Sequence, residues 1–160
     1  MLHIQKSNLL RVPADFVCHC ANTECIMGAG VALAVKKAWP EAYDADLATK
    51  KQTPEEKLGH YSKAELPSGK VVYNLYAQVA LGNDGTLLRR NIRYDLLLDS
   101  LYRASLDAQE ILKEKGKTKG VMAMPWMGCG LAGGDTEIVH SVVRKISLLF
   151  DSIDYIICEL

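Results

Sequence analysis

The sequence predicts an α/β fold in which helices pack on a mixed β-sheet. Short apolar runs of strand length alternate along the chain with longer segments whose apolar residues recur at helical spacing, a pattern typical of layered α/β domains. Two strand-like runs follow each other between residues 60 and 77 with little room for a helix, so we expect a mixed sheet. The 160 residues fit one domain, residues 1–160, with a core of its own.

The first half of the chain contains four predicted strands and two predicted helices. The strands are short apolar runs, the third of them only weakly alternating. Pro40 divides one helical pattern into two helices, because proline cannot continue a helix without a break. Ser68-Gly69 marks a turn before the fourth strand. The strands are Leu2–Gln5, Phe16–Cys20, His60–Leu66 and Val71–Ala77, and the helices are Val31–Trp39 and Glu41–Lys51.

The second half begins with a loop at Asn83-Asp84-Gly85 and continues with a long amphipathic helix. Leucines at helical spacing define this helix, and Gly116 suits its C-terminal cap. A strand, a helix and a final strand follow. The predicted helices are Tyr94–Lys115 and Glu137–Phe150, and the strands are Val121–Trp126 and Tyr155–Cys158.

The charge balance and cysteine content exclude several classes of protein. Lysine plus arginine equals aspartate plus glutamate, at 19 each, which gives no electrostatic footprint for long nucleic acid or an anionic membrane. No apolar run reaches the roughly 18 residues of a membrane span. The five cysteines are an odd number, and the N-terminal residues lack a signal-peptide pattern. We therefore expect free thiols, a cytoplasmic location and a monomer.

Two glycine-rich loops are the candidate ligand-binding segments. The first, HCANTECIMGAGVA over residues 19–32, follows a strand and opens a helix, whose N-terminus offers free N–H groups and a positive dipole end. The same glycine-rich segment is equally consistent with a structural role, as a turn followed by a close helix–sheet contact. The second, MPWMGCGLAGGD over residues 124–135, holds four glycines within seven positions. Such density permits a nest of N–H groups around phosphate oxygens.

Three polar side chains near these loops have both a structural and a functional interpretation. His19 is either a structural histidine or a group that faces a ligand. Asn22 is either a turn residue or a donor to a ribose hydroxyl. Asp135 is either the N-cap of the following helix or an acid that acts on a substrate.

The cysteines near the first loop do not form a predicted metal site. Cys18 and Cys20 point to one face of their strand and His19 to the other, and no second Cys/His pair has zinc spacing. With Cys25 and Cys129 they are expected to be packing residues, and no metal or cofactor is expected. The pair Arg89-Arg90 is most simply a solvated face, with phosphate binding as the alternative.

In these loops the sequence resembles the macrodomain family, and the resemblance extends through nearly the whole chain. The resemblance rests on HC-x-N near residues 19–22, MGAGVA at 27–32, Tyr94 at a helix start, and MP-x-x-GCGL at 124–131. Within the family the chain is most similar to the branch of the terminal ADP-ribose protein glycohydrolase and the yeast and phage-type ADP-ribose-1''-phosphate phosphatases.

The resemblance implies a three-layer α/β/α domain with a mixed sheet and a cleft for ADP-ribose or a derivative. It implies catalytic roles for His19 and Asn22. Asp135, at the start of a predicted helix, is the best substitute for the family acids that this chain lacks, and we expect it to be catalytic as well. The implied ligand-binding residues are Asn8, near the adenine, and the loop residues Gly28, Ala29, Gly30, Val31, Gly128, Cys129, Gly130 and Leu131.

The chain departs from both kinds of enzyme in this branch. The lysine and aspartate of the glycohydrolase are replaced by Gln78 and Ala132, and an acid of the phosphatases is replaced by Gly128. Their histidine is retained as His19. The leading hypothesis is therefore a hydrolase acting on ADP-ribose-1''-phosphate. The alternatives are a non-catalytic ADP-ribose-binding module and a hydrolase that removes ADP-ribose from macromolecules.

Overall fold

The computed structural model describes residues 1–78, 92–130 and 133–160. The predicted loop at Asn83-Asp84-Gly85 and the pair Arg89-Arg90 lie outside these residues. The strands are β1 (Leu2–Lys6), β2 (Phe16–Asn22), β3 (Tyr61–Glu65), β4 (Val71–Gln78), β5 (Gly120–Met124) and β6 (Ile153–Glu159). The helices are α1 (Gly30–Ala38), α2 (Pro40–Leu47), α3 (Pro54–Lys57), α4 (Tyr94–Glu114) and α5 (Thr136–Leu149).

The described strands form one six-stranded sheet in the order β1-β6-β5-β2-β4-β3. All neighbouring pairs are parallel except β3 and β4, which are antiparallel. The predicted mixed sheet is confirmed. Its antiparallel edge arises where the sequence leaves no room for a crossover helix, because two antiparallel strands need only a short turn.

Helices cover both faces of the sheet, which gives the three-layer α/β/α architecture. Alternate residues of β2 point to opposite faces: Phe16 and Cys18 pack with α4 and α5, whereas Val17 packs with Val35 of α1 and Ala42 of α2. Both faces of the sheet are therefore apolar, as expected for parallel strands buried on both sides.

Most of the predicted elements are confirmed, with shifts of a few residues at their ends. The strand predicted as Val121–Trp126 ends at Met124, because Pro125 has no N–H to extend the ladder. Gly116 has φ +68° and follows α4, as predicted for its cap.

The prediction Glu41–Lys51 is too long. Helix α2 ends at Leu47, and the short helix α3 follows, with a capping box between Thr53 and Glu56. Within the described residues, no helix is long and apolar enough to cross a membrane.

Candidate ligand-binding cleft

The two glycine-rich loops meet at one edge of the sheet. They follow β2 and β5, which are parallel neighbours, so both loops leave from the carboxyl ends of adjacent strands, where ligands bind in open α/β sheets. Between them lies a cavity of about 130 Å³. From the predicted site, His19, Asn22, Gly28, Ala29, Gly30, Val31, Gly128 and Gly130 line it, together with Gln78 and Trp126.

The first loop is folded around the side chain of Asn22. The Nδ2 group donates to Ile26 O at 2.8 Å, and Oδ1 accepts from Glu24 N at 2.9 Å and from Ile26 N at 3.4 Å. Asn22 is only 4% exposed. Its carboxamide therefore fixes the path of the loop, as predicted for a turn residue, and it also borders the cleft.

Helix α1 opens directly onto the cleft. Its N-cap, Ala29, has no side-chain hydrogen bond to the helix, and its first turn has no acidic residue. The first N–H groups of a helix have no intrahelical partner, and they carry the positive end of the dipole. Because Gly30, Val31 and Ala32 line the cavity, this end of the cleft suits an anion.

A buried lysine forms hydrogen bonds with the first loop. Lys57 of α3 is 1% exposed, and its Nζ donates to Thr23 O at 3.0 Å and to Cys25 Sγ at 3.4 Å. The ammonium also lies 4.7 Å from the ring centroid of Tyr76. The sequence analysis missed Lys57, because a lysine in the polar segment TPEEK has no local signal that separates it from a solvated residue.

The glycines of the second loop have different structural roles. Gly128 has φ +71°, and a Cβ there would lie 2.7 Å from Ile92. Gly134 donates to Gly128 O at 2.7 Å, and a Cβ on Gly134 would lie 2.6 Å from that same oxygen. Gly130 is exposed, and a Cβ added there would have no atom of the described residues beyond its chain neighbours within 4 Å. The first two glycines shape the loop, and Gly130 leaves open space beside the cleft.

His19 lies on the α1–α2 face of β2, as the strand alternation predicted. It is 1% exposed, and its Nε2 lies 2.7 Å from Asn74 Oδ1. Burial lowers the pKa of His19, and hydrogen bonds with the Asn74 side chain and the Cys20 backbone oppose this only in part. The imidazole is therefore neutral near pH 7 and borders the cleft as an uncharged group.

Three of the remaining predicted residues are described by the structure, and they lie outside the cavity lining. Asp135 caps α5, with Oδ1 accepting from Glu137 N at 2.8 Å. Cys129 Sγ is directed to Met127 O at 3.6 Å. Asn8 is exposed and accepts from Leu10 N at 2.9 Å. Leu131, like Ala132, is outside the described residues.

No group of three or more metal-ligating side chains occurs in the described parts of the chain. The thiols beside the cleft behave as packing groups: burial raises the pKa of Cys18 well above its ordinary value and that of Cys20 to about 12. Both thiols are therefore protonated at neutral pH.

Comparisons with known proteins agree with this architecture. The Macro domain family model matches residues 18–143, whereas no curated protein matches. A Bacteroides thetaiotaomicron protein of unknown function has a similar structure, with a TM-score of 0.79, 22% identity and coverage of 99% of this chain and 98% of that one.

Two further solved structures are similar at lower identity. The macrodomain of Mycobacterium tuberculosis DarG has a TM-score of 0.79 and 19% identity, with 100% of this chain and 98% of that chain covered. Thermosipho africanus DarTG, solved in complex with ADP-ribose, has a TM-score of 0.77 and 18% identity, with 99% and 42% covered. At such identities these likenesses support the fold.

Proposed function

Because the chain belongs to the Macro domain family, we propose that its cleft binds ADP-ribose. The observation that carries this proposal is the meeting of two glycine-rich loops across one cavity, with the uncapped start of α1 on its wall. An anionic diphosphate placed there accepts hydrogen bonds from backbone N–H groups without any need for a positively charged side chain. The ADP-ribose complex of the Thermosipho africanus protein supports the same ligand.

The roles proposed for individual residues are those that the family resemblance implies. Gly28, Ala29, Gly30 and Val31 would hold the diphosphate from the first loop. Gly128, Cys129, Gly130 and Leu131 would hold it from the second. Asn8 would accept a hydrogen bond from the adenine amino group. Asn22 would contact the distal ribose through the one Nδ2 hydrogen that its own loop leaves unused, since a carboxamide has two and Ile26 O takes one.

Calorimetry with ADP-ribose tests the binding proposal. We expect a dissociation constant in the micromolar range, a binding free energy of about −8 kcal/mol. AMP should bind far more weakly, because it lacks the second phosphate and the distal ribose. Equal affinities for AMP and ADP-ribose would contradict a site built from two loops.

A second candidate function is hydrolysis at C1'' of the distal ribose, with ADP-ribose-1''-phosphate as the substrate. The favouring observation is that His19 borders the cleft as a neutral imidazole, the form that accepts a proton from water. Water would attack the phosphate ester and release inorganic phosphate and ADP-ribose. Asp135 would assist at the start of α5, and Asn22 would hold the ribose. A binding module without chemistry and a hydrolase acting on ADP-ribosylated macromolecules are the competing outcomes.

Phosphate release from ADP-ribose-1''-phosphate tests this second function. Proton transfer by a side chain contributes roughly 10²–10⁴-fold, so His19→Ala and Asp135→Ala should each slow release by about 10²-fold or more. Asp135→Asn is the matched control: it keeps the cap on α5, since asparagine caps as well as aspartate, and removes only the acid. Wild-type turnover in these variants would show that the residues are wrongly assigned. No release by the wild type, with ADP-ribose still bound, would leave a binding module.

A further inference from the structure

Gln78 is the last residue of β4, and a β-bulge determines which residue of β2 lies opposite it. Ala21 of β2 pairs with Tyr76, and the next residue, Asn22, pairs with Gln78, so Ala77 has no partner on β2. Bulges change the direction of side chains and are common beside functional sites. This one brings Gln78 level with Asn22, and both residues line the cavity between the two glycine-rich loops.

The carboxamide of Gln78 is available to a molecule in that cavity. Gln78 is only 8% exposed, and its side chain makes no hydrogen bond with another described residue. Neither of its polar atoms is sealed from solvent, in contrast to Thr23 Oγ1, which is buried without a partner. A carboxamide holds two N–H donors and one oxygen acceptor. The structure thus presents a nearly buried polar group whose hydrogen bonds a ligand can complete.

The order of the strands determines which part of the ligand lies near Gln78. The sheet order includes β1-β6-β5-β2-β4, with Asn8 shortly after β1, the two glycine-rich loops after β5 and β2, and Gln78 at the end of β4. Neighbouring strands lie about 4.8 Å apart, so Gln78 is one strand beyond the first loop, on the side away from Asn8. With the adenine near Asn8 and the diphosphate between the loops, the group that reaches Gln78 is the distal ribose.

We propose that Gln78 is a specificity-determining residue that forms hydrogen bonds with the hydroxyls of the distal ribose. This inference rests on the proposed binding of ADP-ribose. Each of two neighbouring ribose hydroxyls can donate and accept, and the carboxamide of Gln78 presents a donor and an acceptor side by side. The unused Nδ2 hydrogen of Asn22 adds a further donor. Gln78 therefore makes the cleft prefer ADP-ribose to ADP, which ends at the second phosphate.

Calorimetry of the full chain with ADP-ribose and with ADP tests this role. Gln78→Met keeps an unbranched side chain of similar length and removes the carboxamide. It should bind ADP-ribose roughly tenfold more weakly than the wild type, the effect of about one hydrogen bond, and bind ADP equally well. Gln109→Met is the matched control, because Gln109 is half-buried on α4 and does not line the cavity; it should bind both ligands as the wild type does. An equal loss of affinity for both ligands in Gln78→Met, or no loss for ADP-ribose, would overturn the proposal.

Analogues that lack one hydroxyl of the distal ribose separate a direct contact from an effect on the fold. The wild type should bind 2''-deoxy- or 3''-deoxy-ADP-ribose roughly tenfold more weakly than ADP-ribose. Gln78→Met should bind that analogue and ADP-ribose equally, because the partner of the missing hydroxyl is already gone. If Gln78→Met keeps the wild-type preference, Gln78 does not contact the ribose, and the binding of ADP-ribose still stands. If the wild type does not bind ADP-ribose at all, the proposed function and this inference both fail.

Discussion

Asn22 shows how one side chain can shape a site and border it at the same time. Its carboxamide makes three hydrogen bonds with the backbone of residues 24 and 26, and these turn the chain out of β2 and toward α1. A loop held this way presents its glycines to the cavity in one conformation. Binding then costs little ordering of the loop, which is how a rigid site gains affinity.

We predict that Asn22→Ala lowers both the stability of the fold and its affinity for ADP-ribose. Two backbone donors and one acceptor lose their partner, and losing a typical hydrogen bond costs about 0.5–1.5 kcal/mol, measurable by urea unfolding. Asn22→Asp keeps the acceptor for Glu24 N, so it should unfold at a higher urea concentration than Asn22→Ala. Its negative charge should still weaken binding of the diphosphate. Unchanged stability in Asn22→Ala would show that the loop does not depend on this side chain.

The difference between Asn22 and Lys57 shows what could be predicted at the residue scale. The partners of Asn22 lie within four residues, so its turn role is visible in the local sequence. Lys57 bonds to Thr23, 34 residues away, and His19 to Asn74, 55 residues away. The first of these pairs joins α3 to the loop after β2, and the second exists because the sheet places β2 beside β4. The sequence therefore predicts that His19 borders the site, but not what orients it.

At the scale of elements, the sequence predicted the sheet well because the central strands β2, β4, β5 and β6 are rich in apolar residues. The C-terminal end of α2 was harder to predict: beyond Leu47 the chain continues in turns, where Thr49 Oγ1 and Thr49 N both donate to Asp46 O, at 2.7 and 3.0 Å. The density of glycines located the second loop correctly. It did not show which glycines shape the loop, Gly128 and Gly134, and which one leaves open space beside the cleft, Gly130. That distinction depends on Ile92, which is distant in sequence and packs against Gly128 and Gly134.

We predict opposite outcomes for alanine at Gly128 and at Gly130. Gly128 has a positive φ, and its Cβ would meet Ile92 at 2.7 Å, so Gly128→Ala should destabilise the fold by about 1–3 kcal/mol through overpacking. The Cβ of Gly130→Ala would meet no other described residue within 4 Å, so this variant should stay within about 0.5 kcal/mol of wild type. Urea unfolding measures both. A loss of stability at Gly130 equal to that at Gly128 would contradict the assigned roles.

The open space beside Gly130 also allows a direct test of the binding site. Gly130→Glu places a carboxylate on the exposed side of the second loop, where the diphosphate is proposed to lie. Like charges repel in the cleft, so calorimetry should detect no ADP-ribose binding while the circular dichroism spectrum stays native. Gly130→Ala is the control for the added side chain, and it should retain binding. If Gly130→Glu binds ADP-ribose normally, the second loop does not contact the diphosphate and has only a structural role.

At the scale of the whole molecule, a buried polar row joins the α2 layer to the sheet. Asp46 of α2, Tyr76 of β4 and Ser62 of β3 are linked by short hydrogen bonds, and Lys57 lies over the Tyr76 ring. The other face of the sheet is joined to α4 and α5 mainly by an apolar cluster. One layer is thus held by apolar packing, whereas the layer that carries the cleft also depends on a carboxylate that has to be buried.

This asymmetry makes the stability of the protein depend on the ionisation of Asp46. Burial raises the pKa of Asp46 above its ordinary value of 3.8, and the hydrogen bond from Tyr76 and the charge of Lys57 offset this only in part. The folded state therefore binds the proton more tightly than the unfolded state. The contribution of Asp46 to stability is fully present below its ordinary pKa and is lost as the pH rises through the raised value.

Asp46→Asn should remove this dependence, because an amide does not ionise while its oxygen still accepts from Tyr76 OH. The free energy of unfolding of Asp46→Asn, relative to that of the wild type, should increase as the pH rises from about 4 toward 7. Urea unfolding at several pH values measures the difference. Asp44→Asn, at an exposed position of the same helix, is the matched control for the loss of one negative charge. A relative free energy that falls with rising pH would mean that Lys57 and Tyr76 together outweigh burial, so that Asp46 is stabilised as a carboxylate in the folded protein.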